Sequence, residues 1–164
     1  MRKTALSAAA AGLLIAALTA LGSGGGGGGG GGSGGEAPKG AQVDPDYRAG
    51  MEAVKAKDWK SVVDHMGAVI QRDPKNADAW NTMGHAYRQM GDMDNSFKHY
   101  DKALELNPKH RGAHEYIGEA YLLVGNLPEA EEHLEALDKL CFFPCEEYTE
   151  LKEHIADYKR SHGQ

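Results

Sequence analysis

The sequence predicts an all-helical fold of stacked helical hairpins. Three observations carry that prediction. Residue types recur every 34 positions: Gly50, Gly84 and Gly118; Pro74 and Pro108; Tyr87 and Tyr121; Met66, Tyr100 and Leu134; Val69, Ala103 and Leu137. Within a period, apolar residues step by three and four, as in Trp80, Met83, Tyr87 and Met90, which is the spacing of one helix face. Glycine and proline punctuate the pattern, with Gly91-Asp92 and Gly125-Asn126 inside units and Asn107-Pro108 between them.

Residues 1–22 read as a secretory signal peptide. Arg2 and Lys3 precede an apolar run from Ala5 to Leu21, and Ala20-Leu21-Gly22 sets small residues at the two positions a signal peptidase reads. The expected cut falls before Ser23. The run is short for a bilayer span, so no stable membrane span is expected after cleavage; the alternative is that the segment stays uncut as a membrane anchor. The predicted location is the periplasm or the medium. Residues 23–42 include a glycine tract broken only by Ser23 and Ser33 up to Gly35, and are read as a flexible linker.

The repeats occupy 43–142, as units 43–76, 77–110 and 111–142. The first is the most degenerate: its inner turn, Lys57-Asp58, lacks glycine, and Asp46 stands where Trp80 stands later. In the second, Asp94 or Asn95 is expected to cap the second helix, with Phe97, Tyr100, Ala103 and Leu104 inward. In the third, Pro128 starts the second helix. Residues 143–164 are predicted to form a turn and a capping helix. Tyr148, Leu151, Ile155 and Tyr158 face inward there, and Glu150, Lys152, Glu153, Lys159 and Arg160 face water. A terminal helix of this kind hides the last open face of a stack.

Composition excludes some classes. The signal segment holds two of the 18 Lys+Arg and no acid, so 16 basic residues face 24 Asp+Glu in the mature chain, a formal charge of −8. Such a surface repels phosphate backbones, so no nucleic acid is expected as partner. No glycine-rich loop joins a strand to a helix, and no serine has a visible His and Asp pairing. The chain reads as no enzyme and needs no cofactor.

Trp80, Met83, Gly84, Tyr87, Ser96, Tyr100, Ala103 and Pro108 occupy the eight signature places of a known motif. His114, Ile117, Gly118, Tyr121, Ala130, Leu134 and Leu137 occupy seven of them one period later, with histidine replacing tryptophan. On these residues the chain resembles the tetratricopeptide repeat family, and its tail is similar to that of small exported bacterial proteins of the type. The resemblance implies a right-handed superhelix of three repeats plus a C-terminal capping helix. It also implies a concave, peptide-binding surface made by the first helix of each repeat. By phase, Tyr47, Met51, Asn81, His85, Arg88, Gln89, Glu115, Glu119 and Leu122 line that surface. The implied function is a protein- or peptide-binding scaffold in the periplasm or envelope, with the partner unnamed and self-association open. The subtype that grips C-terminal carboxylates is not supported: Tyr47, Met51, Gly112 and Tyr116 stand where its Lys, Asn, Lys and Arg are required, and only Asn81 lies nearby.

His65, His99 and His133 fall on the repeat period and are read as packing or rim residues. His110 and His114 are four apart, with no carboxylate or cysteine at ligand spacing, so no metal is expected there. Cys141 and Cys145 stand at the turn before the capping helix. Side chains four apart in a turn suit the Cα separation of a disulfide, which would staple repeat to cap, with Phe142 and Phe143 packed beneath. A metal or redox role and a pair of free thiols stay open. The alternative function is therefore a copper- or thiol-handling protein using the CxxxC pair, with His154 as a further ligand.

Overall fold

A computed structural model describes residues 44–163; the expected signal peptide and the glycine tract lie outside the described residues. Among the described residues seven helices follow one another: α1 (Pro45–Ala56), α2 (Trp59–Arg72), α3 (Ala77–Gln89), α4 (Met93–Leu106), α5 (Arg111–Leu123), α6 (Leu127–Leu140) and α7 (Glu146–His162). Consecutive helices pack as hairpins, and α3 touches α5 as α5 touches α7. The first helices thus lie side by side along one face, and α7 continues their row.

Local chemistry sets the boundaries. Asp58 and Asp92, one period apart, cap α2 and α4 by accepting from Ser61 N at 3.2 Å and Asn95 N at 3.1 Å. The cap of α4 is therefore Asp92, not Asp94 or Asn95: Asp92 is the first residue after the turn glycine and its backbone is not yet helical. Asn76 and His110 hold the same role on α3 and α5. Left-handed backbone closes the inner turns at Gly91 (φ 80°) and Gly125 (φ 79°), and Lys57 takes φ 57° at the same place in the first unit.

The interior runs along the stack as three clusters of buried residues. Val62, Met66 and Val69 fill the first unit with Ala79, Met83 and Ala86 of α3; Tyr100, Ile117 and Ala120 join the second to the third; Ala130, Leu137, Leu151 and Ile155 close the end. Small residues set the approach. Ser96 Oγ donates to the Gly84 carbonyl at 2.9 Å, and a Cβ at Gly50 would lie 2.6 Å from Met66 Cε. At Gly118 the nearest atoms belong to Leu151 of α7, so the cap helix uses the space that Met66 and Tyr100 use in earlier units.

A second row explains the periodic histidines. Residues 46, 80 and 114 each meet the histidine 19 positions on. Asp46 Oδ1 is 3.0 Å from His65 Nδ1, Trp80 stacks obliquely on His99 at 5.4 Å, and His114 Nδ1 is 3.0 Å from His133 Nδ1. Trp80 Nε1 donates to the Pro74 carbonyl at 3.0 Å, and His114 Nε2 lies 3.1 Å from the Pro108 carbonyl. Histidine thus keeps the N–H of the tryptophan it replaces, and that bond leaves its Nδ1 to accept from His133.

At the α6–α7 turn, the Sγ atoms of Cys141 and Cys145 are 2.08 Å apart and the Cα atoms 5.9 Å apart. Phe142 and Phe143 do not pack beneath this turn. They are 94% and 75% exposed, edge to face with each other. A few residues between two helix ends leave no interior for two rings, and the cysteine side chains take the inner side.

Candidate functional site

The first helices and α7 wall a cavity of about 450 Å³ on the concave face. α1 supplies Tyr47, Met51 and Val54; α3 supplies Asp78, Asn81, Thr82 and His85; α5 supplies Gly112, Glu115 and Tyr116; α7 supplies Glu146, Glu147 and Glu150. His110, the cap of α5, completes the wall. Five of the residues named by phase meet here: Tyr47, Met51, Asn81, His85 and Glu115. Arg88, Glu119 and Leu122 line a smaller cavity of about 280 Å³ with Leu123, His154 and Tyr158. Gln89 is exposed and lines neither.

Most of the polar groups are already engaged. Arg88 pairs with Glu119, both nearly buried, and Glu119 also lies 2.8 Å from His154 Nδ1. The Arg88 guanidinium sits over the Tyr116 ring at 5.4 Å and donates to His85 Nδ1 at 3.2 Å. Burial, with the Arg88 charge second, pushes the His85 imidazole down to about 4, so it is neutral at pH 7. His85 is a wall between Trp59 at 5.3 Å and Tyr116 at 4.7 Å. His110 accepts from Ala113 N through Nδ1 at 3.1 Å, which directs its Nε2 toward Asp78 Oδ1 at 2.9 Å. His154, the residue set aside for copper, is thus paired to a carboxylate on α5, and no group of three or more His, Cys, Asp or Glu among the described residues is placed to hold a metal ion.

Two groups of this wall stand out, one for a missing partner and one for a displaced protonation. Asn81 is 7% exposed and its Oδ1 has no hydrogen-bond partner. Glu115 is 5% exposed, and its carboxyl is pushed up to about 9 by burial first, then by Glu150 and by the charges of Glu119 and Glu147. Glu150 is exposed, as the sequence reading expected, but that reading gave α7 to capping alone and missed its carboxylates as part of the cavity wall. The signal was present: 78, 112 and 146 share a phase, as do 82, 116 and 150. Extending the period through α7 identifies it as a fourth first-helix.

The stack, the punctuated hairpins and the concave cavity define a helical repeat solenoid. Residues 77–110 match the family model for the tetratricopeptide repeat (TPR). Among curated proteins, none matches it. Solved structures share its fold. The first TPR of Spaghetti (RPAP3), bound to the HSP90 peptide SRMEEVD, is 17% identical with a TM-score of 0.64, over 73% of this chain and 91% of that one. The Yersinia enterocolitica type III secretion translocator chaperone SycD is 18% identical at 0.64, over 73% and 84%. The TPR2B domain of yeast Sti1, in complex with an Hsp70 peptide, is 18% identical at 0.62, over 71% and 94%.

Proposed function

We propose that this chain is a non-catalytic scaffold that binds a protein or peptide partner in its concave cavity, and that it works in the periplasm or envelope. The cavity is the observation that carries the reading: polar and apolar groups from four helices converge on one open concavity, the arrangement that admits an extended segment. Two of the structural neighbours hold peptides, which supports the same use of the fold here. Export is supported by the basic-apolar-small order of residues 1–22 and by a cysteine pair at disulfide distance, a pairing favoured outside the cytoplasm. No helix among the described residues is long and apolar enough to cross a membrane.

Affinity capture tests the reading. The full chain is compared with Asn81→Ala/Glu150→Gln, which removes two cavity groups and leaves the buried Arg88–Glu119 pair intact. Partners lost from the variant at unchanged melting temperature support the groove; identical recovery by both proteins contradicts it. A thiol count on protein from the periplasm, with stoichiometric copper on the reduced chain as the opposing result, decides between the staple and the copper- or thiol-handling alternative.

A further inference from the structure

We propose that the concave cavity takes a cationic side chain, an arginine or lysine carried by a peptide segment of the partner. The inference rests on the reading that this cavity is the ligand groove, and it adds the ligand's charge.

The first support is Asn81. Its Oδ1 is a buried acceptor on the cavity wall with no donor. A buried polar atom left unmet is costly, so a ligand N–H is the group it lacks. The second support is independent of the first. Among the described residues no ion pair includes Glu115, Glu146 or Glu150, and Glu147 reaches a cation only at 3.5 Å, on Arg111. Burial first, then the hydrogen bond shared with Glu150 and the charges of the neighbouring carboxylates, push the Glu115 carboxyl up to about 9, and a ligand cation would draw it back down.

Both supports select the same chemistry. Guanidinium and ammonium groups donate and never accept, and they carry positive charge. A ligand carboxylate would do neither: it would repel the α7 side chains and leave the Asn81 oxygen without a donor. The cavity therefore has the opposite polarity to one that grips an acidic chain end. The size is adequate, since about 450 Å³ holds a long side chain with neighbouring backbone.

The test is fluorescence anisotropy on the full chain with a labelled heptapeptide of alternating Gly and Arg. Its Glu and Gln counterparts serve as controls and spermidine as competitor. The Arg peptide is expected to bind most tightly. Glu146→Gln/Glu150→Gln, both exposed and safe for the fold, should weaken it about tenfold. Glu105→Gln/Glu132→Gln, which removes equal charge from exposed positions on second helices, should weaken it no more than about twofold. Equal weakening by the two double variants overturns the site, because diffuse charge then explains the attraction. Tighter binding of the Glu or Gln peptide in the same cavity overturns the charge assignment and leaves the groove standing. Spermidine displacing the peptide at lower concentration than the peptide itself overturns the peptide source. Binding of no peptide overturns both this inference and the groove.

Discussion

A Cβ placed on Gly84 would lie 2.4 Å from Cδ1 of Tyr100, whose ring is fully buried at the crossing of α3 and α4. No rotamer of a buried ring in a filled interior relieves that overlap cheaply. Gly84→Ala should therefore destabilise the protein by about 1–3 kcal/mol or more, through a shift of the helix pair. Gly67 gives the control: it lies inside α2, where an added Cβ would meet nothing within 4 Å, and Gly67→Ala should stabilise by up to about 1 kcal/mol. Urea unfolding of the two variants checks both signs.

Lys57 occupies the left-handed position that Gly91 and Gly125 hold in later units. A Cβ there costs roughly 1–2 kcal/mol, partly offset by the greater freedom of glycine when unfolded. Lys57→Gly should raise stability by about 0.5–1 kcal/mol, and thermal unfolding reads it directly.

Arg88 and Glu119 form a pair with side chains only 8% and 13% exposed. Truncating one member leaves the other charge buried. Arg88→Ala should cost about 3–5 kcal/mol, whereas the double change Arg88→Met/Glu119→Leu should restore much of it. A double-mutant cycle in urea measures the coupling. Arg88 was expected from its phase to be a ligand contact; the structure places it in a buried pair with Glu119 of α5 and on the wall of the smaller cavity.

Stability should fall on both sides of a maximum in pH. The Glu115 carboxyl is raised from 4.5 to about 9 by burial and neighbouring carboxylates, so the folded state binds the extra proton. Its contribution is full below pH 4.5 and is lost as pH rises toward 9. His85 and His133 are lowered from 6.5 to about 4, chiefly by burial, so their contribution is full above pH 6.5 and is lost as pH falls toward 4. Glu115→Gln should flatten the alkaline limb alone and melt above the parent protein at about pH 8. A series of melts across both limbs checks them separately.

The fold was legible because packing repeats every 34 residues, and packing is what glycine, alanine and tyrosine at fixed places report. Gly50 and Gly84 meet Met66 and Tyr100 of their own units at the spacing the sequence displays. The candidate site was legible in part. Phase placed Tyr47, Met51, Asn81, His85 and Glu115 on one face, since phase fixes which face a helical residue shares, and one cavity wall holds all five. Which of those residues stay free was not legible, because Arg88 and Glu119 are consumed by each other across two helices. The role of α7 was hidden for a different reason: among the described residues no second helix packs after it, and its inner face shows fewer apolar residues than a repeat. Its Glu147 and Leu151 nonetheless keep the phase of the buried Ala113 and Ile117. The exposed Phe142 and Phe143 show the opposite limit, where composition suggests burial and a short closed turn offers no room.

Site-specific photo-crosslinking in living cells tests the central claim, that the concave wall made by the first helices is where a partner sits. A benzophenone side chain is placed at Thr82 on α3, in the cavity wall, or at Lys98, exposed on α4. The account predicts a discrete crosslinked product from Thr82, reduced by Glu146→Gln/Glu150→Gln, and none from Lys98. A product from Lys98 with Thr82 silent would contradict it.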